Sequence, residues 1–474
     1  MRDTAHELLC AAMLGCGQLC MLAGYDTQSF ISESVLRSVH DQRPDAIDAH
    51  AGYRGQAVVN TMVTLSSLIS PYLLTRMGSK NILVLGSCMF TLFFASYLYV
   101  HFIPFYITTV LTGFGFALFF TGNGAYITEH STRKTLERNS SMSWGIGTFC
   151  MVAGGIVLLF SIQPPISSET GNNTNGTFSD RTYRVYSEGE IRLLFGLFVG
   201  IAIVSNIVFA LLPSKQRKLS MASVSCANED GFTGEMKLMY SAMKDGKVAL
   251  LVPLFFLLGT TITFWISVFP TTLVFTKSMS GFVYLPAYYA ITLGTSDMCS
   301  GLLISFVSHR IPGFGQMPTL FIGIVFHMTG LTLALLSTPP WSTNTPNDEP
   351  APLIQSSIGL ALFISLLFGL ADNCFNTSRT VMSALIMPDK RPQVFSISRF
   401  YQSLITGILF FVSPFMSMPM YFILITLNSI AALICYHFVV KLTMEMEREN
   451  TLQSASSFKS DNSVEKGETT EDLP

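Results

Sequence analysis

The sequence predicts an all-α membrane protein of about twelve transmembrane helices, arranged as two six-helix halves in the lipid bilayer. Three observations predict it. Of 474 residues, 49% are hydrophobic and only 12% are charged, with a mean hydropathy of +0.46; a soluble chain carries about 25% charged residues. Apolar stretches long enough to cross a bilayer recur from end to end. A polar stretch from Pro213 to about Gly246 divides them evenly.

A spanning helix needs about 20 mainly apolar residues. That criterion places the crossings at 8–31, 55–75, 81–100, 103–127, 141–162, 190–212, 247–270, 281–307, 317–338, 352–373, 395–416 and 419–441. The first ends in polar residues, and the eleventh contains Arg399 and Gln402. The resulting organisation is an N-terminal half (1–212), a central cytosolic loop (213–246), a C-terminal half (247–441) and a disordered cytosolic tail (442–474). The tail is charged, Ser-rich and poor in aromatics, a composition that buries too little to order itself. Within the loop, Glu235 to Met243 sets apolar residues at helical spacing beside lysines, the pattern of an amphipathic helix at the membrane face.

Arg2 is followed by Asp3 and Glu7, and the apolar stretch from Leu8 is too long for an ordinary signal core, so the first helix reads as a retained insertion signal. An even number of crossings puts both ends on one side. Positive charge chooses the cytosolic side for them. With that orientation only Arg37, Arg43, Arg54, Arg181, Arg184, Arg192 and Lys277 of the 28 Lys and Arg fall in outer loops. The loop after the fifth crossing then lies outside, and it carries two N-glycosylation sequons, at Asn172 and Asn175. Asn139 and Asn376 also match the sequon pattern, but on the inner side or at the membrane edge, where they read as chance matches.

The net charge of −2 points away from a nucleic-acid partner, which calls for a basic surface. None of the nine cysteines lies in an outer loop, so a disulfide framework is not expected. Cys10, Cys16 and Cys20 bunch among Leu, Met and Ala as small hydrophobes, with no His or Asp to complete a metal site. Gly113-Phe114-Gly115 is a glycine pair inside a spanning helix and not a strand-to-helix phosphate turn. His101, His130 and His327 are scattered, and no acid–histidine cluster sits at one depth. The expectation is a protein that is not an enzyme and needs no cofactor.

Ionisable residues inside a membrane tend to face a cavity or a partner. Asp297 is the deepest, near the middle of the eighth crossing, within a small-residue stripe of Gly294, Thr295, Ser296, Cys299 and Ser300. It reads either as a cavity carboxylate that binds a cation or proton, or as a packing residue hydrogen-bonded to a neighbouring helix. Asp26, in the outer part of the first crossing, carries the same two readings. Asp372, placed at the inner end of the tenth crossing, reads as a cavity group or as an ion-pair partner of Arg399 or helix cap. Glu129, Glu137 and Arg138 at the mouth of the fourth and fifth crossings read as inner-gate charges or as a solvated loop; Arg76, Lys80 and Arg399 complete that candidate gate. Phe264, Trp265 and Tyr284 read as packing or interface aromatics.

A faint repeat relates the halves: Gly122-Asn123-Gly124-Ala125-Tyr126 closes the fourth crossing, and Asp372-Asn373-Cys374-Phe375-Asn376 closes the tenth. The link Pro71-Tyr72-Leu73-Leu74-Thr75-Arg76-Met77-Gly78-Ser79-Lys80 resembles the Gly-x-Leu-Ala-Asp-Arg-x-Gly-Arg-Lys motif of major-facilitator proteins at Leu73, Arg76, Gly78 and Lys80. It departs at Pro71, Leu74, Thr75 and Ser79, so the acid expected at Thr75 is missing.

A more specific resemblance runs from Gly113 through Gly122-Asn123-Gly124-Ala125-Tyr126-Ile127-Thr128 to Arg138-Asn139-Ser140-Ser141-Met142-Ser143-Trp144. This stretch, with Gly24-Tyr25-Asp26-Thr27-Gln28-Ser29-Phe30, is similar to the uncoordinated-ninety-three-like (UNC-ninety-three) family, a branch of the major facilitator superfamily. That family commonly has Gln before the first Gly, where Gly122-Asn123 stands here, so Asn123 is the candidate polar group on this helix. The resemblance implies a transporter fold. It also implies two functions: a partner that regulates or escorts a channel or receptor, or a secondary transporter of a small solute or ion, coupled to protons or cations. The degraded inter-helix motif, and a seventh crossing with no charge beyond Lys247, lean toward the first.

Overall fold

The computed structural model describes residues 2–48, 51–161, 187–214, 231–276, 279, 282, 284–311, 313–343 and 349–468, with the side chains of most of these up to 449. Among the described residues there is no β-strand. Eleven helices among these residues are long and apolar enough to cross a membrane, and a bent pair, taken as one span, makes twelve.

The N-terminal half comprises α1 (Arg2–Gln42), α2 (Ala51–Ser67), α3 (Ser70–Met77), α4 (Ser79–Ser96), α5 (Phe102–Glu129), α6 (Leu136–Thr148), α7 (Cys150–Ser161) and α8 (Glu188–Leu211). Next comes α9 (Gly231–Lys244), the helix expected in the central loop. The C-terminal half comprises α10 (Gly246–Ala249), α11 (Val252–Thr263), α12 (Phe269–Phe275), α13 (Leu285–Arg310), α14 (Met317–Ser337), α15 (Ile358–Leu385), α16 (Arg391–Val412) and α17 (Met418–Glu468).

Proline and glycine set the breaks. Helices α2 and α3 meet at a bend of 62°, and together they are long and apolar enough for one crossing. Pro71 opens α3, where its ring and missing N–H would disrupt a continuous helix. Gly78 then turns the chain at φ +83°, the conformation its place in the link requires, and its N–H caps Leu74 at 2.8 Å. In the seventh crossing, a π-helical turn at Phe264–Val268 lies just ahead of Pro270.

Three expected boundaries move outward. Hydropathy ends the first crossing at 31, but α1 continues to Gln42, two residues short of Pro44. The tenth is expected to end at 373, yet α15 runs to Leu385, because nothing between Asn373 and Pro388 breaks a helix. The tail expected to be disordered from 442 is helical backbone to Glu468. It contains no proline and no glycine before Gly467, so a helix already nucleated in the membrane propagates through it.

Aromatic side chains fill the N-terminal core, with Tyr97 stacked on Phe195 at 4.0 Å and Tyr25 edge-on to Phe116 at 4.7 Å. The C-terminal half repeats this with Phe264 and Phe269 against Phe368. The halves meet where α13 packs on α6 and α7, and where α16 packs on α2 and α5. Both chain ends lie at one face: Thr135 donates to Glu7 at 2.5 Å, and Arg133 donates to Glu447 at 2.5 Å.

Candidate functional site: a polar centre between the halves

Helices α6 and α13 cross backbone to backbone. A Cβ on Gly301 would lie 2.7 Å from the Gly145 Cα and 2.6 Å from the Asn373 amide nitrogen, so only glycine fits. Gly294 packs as closely on Met151 and Val152. The small-residue stripe of the eighth crossing is therefore used for contact with the other half. That contact buries Asp297, which is 2% exposed, and leaves its Oδ1 without a hydrogen-bond partner. Thr148, Asn373 and Asp372 are the polar groups that face it.

Because α15 runs past 373, Asp372 sits mid-helix and not at the inner end. It accepts from Asn376 at 2.8 Å on its own helix and from the Trp144 indole N–H at 3.4 Å across the seam. The expected pair with Arg399 is not formed: no ion pair joins them among the described residues, and Trp144 and Asn376 both donate to Asp372 Oδ2. Asp26 of α1 also points at the seam and accepts from the Cys150 thiol at 3.1 Å.

Arg399, expected at the gate, belongs to this centre. It is 6% exposed and its guanidinium lies over the Phe120 ring, 3.2 Å from the centroid. Arg379, also buried, joins it from α15: the two donate to the same oxygen, Gln402 Oε1, at 3.2 and 2.8 Å. Trp144 flanks both at 5.5 and 5.8 Å. A small cavity opens between these groups, and Asn123 lines it while donating to Gln18 Oε1 at 3.2 Å. Beside it, Ser70, Thr121 and Ser396 form a closed triangle of hydroxyls at 2.8, 2.9 and 2.8 Å, joining α3, α5 and α16.

The other gate candidates lie near the chain-end face, in separate places. Ser79 donates to Glu129 at 2.6 Å within the N-terminal half. Arg76 is exposed and stacks on Tyr72 at 5.6 Å, and Lys80 is half-buried nearby. Arg138 is buried and donates to Asn139 at 3.1 and 3.0 Å. Glu137 reaches across to the C-terminal half: it accepts from the Gly315 amide at 3.1 Å and from Gln316 at 3.0 Å, in the turn between α13 and α14. Arg133 lies 3.5 Å from it. Burial pulls the Arg133 guanidinium down, but its contacts with Glu447 and Glu137 outweigh this and the net shift is upward.

Asn172 and Asn175 lie outside the described residues. Asn139 and Asn376 are buried inside helices. Hydropathy missed Arg379, Gln402, Gln18 and Trp144 as members of the centre. The run from Asn373 to Met387, with neither proline nor glycine, is the signal that would have brought Arg379 into the tenth crossing.

The sequence model of the UNC-93 family, described as ion channel regulatory protein UNC-93, matches residues 43–437. The chain is 22% identical over 459 residues to the UNC93-like protein MFSD11 of Xenopus laevis, covering 93% of this chain and 97% of that protein. It is 21% identical over 369 residues to UNC93-like protein 3 of Arabidopsis thaliana, covering 74% and 71%. Among solved structures, the major-facilitator proton:xylose symporter XylE, bound to 6-bromo-6-deoxy-D-glucose, aligns with a TM-score of 0.63 at 15% identity, over 92% of this chain and 96% of that one. The E. coli fucose:proton symporter FucP aligns with a TM-score of 0.59 at 12% identity, over 91% and 99%. Identities this low carry the fold and not the substrate. With most of its length matched by the family model, this chain belongs to the UNC-93 family and has the major-facilitator fold.

Proposed function

We propose that this chain is a carrier that moves a small solute by alternating access, coupled to a proton or cation at Asp297 and Asp372. One observation supports this reading above the rest. Asp297, Asp372, Arg379 and Arg399 are all buried at the seam between the halves, and the two arginines line a small cavity there. Charges at that depth cost several kcal/mol and mark solute or ion pathways. Two carboxylates facing each other in a low dielectric repel, and a shared proton or bound cation relieves that repulsion. Rocking of one half on the other would open the centre to each side in turn, with the chain ends in the cytosol.

The test is uptake by the purified chain in vesicles under an imposed pH gradient, across a panel of small organic solutes and ions. Uptake or solute-driven proton movement is expected. Folded protein with neither, across the panel, would sink the carrier reading.

The description of the family model supports a second reading, a partner that regulates or escorts a channel or receptor. Affinity purification from native membrane would then recover a stoichiometric channel or receptor subunit.

A further inference from the structure

The carrier reading leaves the chemistry of the solute open, and the choice of a solute class rests on that reading. The cavity is walled by Arg379, Arg399, Asn123, Trp144, Phe120 and Phe395, and no carboxylate lines it. Both arginines are nine-tenths buried or more, at 5% and 6% exposure. Among the described residues neither forms an ion pair. Their side chains share one neutral acceptor, Gln402 Oε1. Asp372 is within electrostatic reach of both, but its hydrogen bonds go to Trp144 and Asn376.

Two guanidinium groups held together away from water repel each other, and an amide oxygen does not neutralise them. Each guanidinium offers five N–H donors in a planar fork that matches a carboxylate. A cationic solute would meet two like charges and no acid. The cavity has room for about one water-sized body, so a carboxylate head or a halide enters as the side chains part. When Asp297 and Asp372 together hold one proton and Asp26, beside the Cys150 thiol, holds another, the three carboxyls and two arginines leave one positive charge, which one monoanion balances.

We infer that Arg379 and Arg399 form the binding site for a monoanion, either the carboxylate head of a small organic acid or a halide, which travels with the proton. Phe120, Phe395 and Trp144 supply the apolar walls that an organic acid's stem would contact.

The test uses the purified full-length chain in nanodiscs, titrated with sodium acetate, sodium benzoate or sodium chloride, while sodium HEPES holds ionic strength constant. Thermal stability and the fluorescence of Trp144, taken against Trp144→Phe, are the readouts. A saturable response to acetate or benzoate assigns the organic acid, and one to chloride alone assigns the halide. Arg379→Gln or Arg399→Gln should weaken the affinity by about tenfold or more. Where a Gln variant does not fold, Arg379→Lys and Arg399→Lys keep the charge but lose the fork, and they should also bind more weakly. No saturable response in the native chain, or a response unchanged in the arginine variants, overturns the site. Anion binding without flux would sink the carrier reading and leave the site standing; flux without anion binding would do the reverse.

Discussion

Glu137 of the N-terminal half accepts a hydrogen bond from the Gly315 amide of the C-terminal half at 3.1 Å, at the face that carries the chain ends. A Cβ on Gly315 would sit 2.9 Å from the Glu137 Cβ, so the two backbones approach as closely as they do because residue 315 is glycine. The contact closes the seam below the polar centre. Any motion that opens the centre toward this face must break it.

Glu137→Ala should therefore destabilise the closed state by about 1–3 kcal/mol, since it leaves the Gly315 amide and Gln316 without their acceptor. Hydrogen exchange at residues 313–316 should rise together with the loss of thermal stability. By contrast, Glu447→Ala breaks a half-exposed pair with Arg133, and such pairs contribute about 0–1 kcal/mol. Equal effects from the two variants would show that Glu137 does not hold the seam.

Asp297 separates coupling from packing. Asparagine keeps the shape and much of the hydrogen-bonding capacity of the carboxyl but removes its charge. Asp297→Asn is expected to abolish flux while the protein stays folded and reaches its membrane. Asp297→Leu should lower stability by about 1–3 kcal/mol by leaving polar neighbours unpaired. Flux, surface expression and melting temperature, measured together, decide the matter: full flux in the asparagine variant alongside a damaged leucine variant makes Asp297 a packing residue.

Helix α9 is docked on protein from both halves, not only on the membrane face expected for it. Phe232 packs edge-on to Tyr72 of α3 at 5.4 Å, while Gln393 of α16 donates to Glu235 at 2.9 Å. Burial pushes the Glu235 carboxyl up from its ordinary value, and bonds from Gln393 and Thr75 only partly oppose this. A carboxyl raised in the folded state contributes stability that is fully present below its unfolded value. That contribution is lost as pH rises through the folded value. Proteolysis or hydrogen exchange within 231–244 should increase as pH rises above the ordinary glutamate value of about 4.3, and Glu235→Gln should flatten the profile. Protection that grows with pH would contradict this assignment.

Glycosylation reports which side is which. Asn172 and Asn175 should carry the N-glycans if the chain ends are cytosolic, because Asn139 and Asn376 are buried within helices. A glycosidase-sensitive mobility shift should vanish in the Asn172→Gln/Asn175→Gln double variant. If none exists in the native protein expressed in a glycosylating cell, the orientation drawn from positive charge loses its support.

Much of the architecture is determined by the sequence alone. The bilayer demands about 20 apolar residues per crossing, a local property, so hydropathy located the crossings and drew attention to Asp297, Asp26 and Asp372. Pro71 and Gly78 likewise announce the bend and the turn around α3. Where hydropathy failed, it took polarity as the end of a helix: Arg379 was placed outside the membrane, although nothing in the chain breaks α15 before Leu385. Which polar groups meet was decided only by the tertiary structure. Gly145 and Gly301, 156 positions apart in the sequence, let two helices cross in backbone contact, and that crossing sets the rotation of α6 and α13. Through it Trp144 reaches Asp372, and Arg399 turns with Arg379 to Gln402 and not to the acid expected as its partner. Helix rotation depends on surfaces from distant parts of the chain fitting together, and hydropathy along a single segment does not encode that fit.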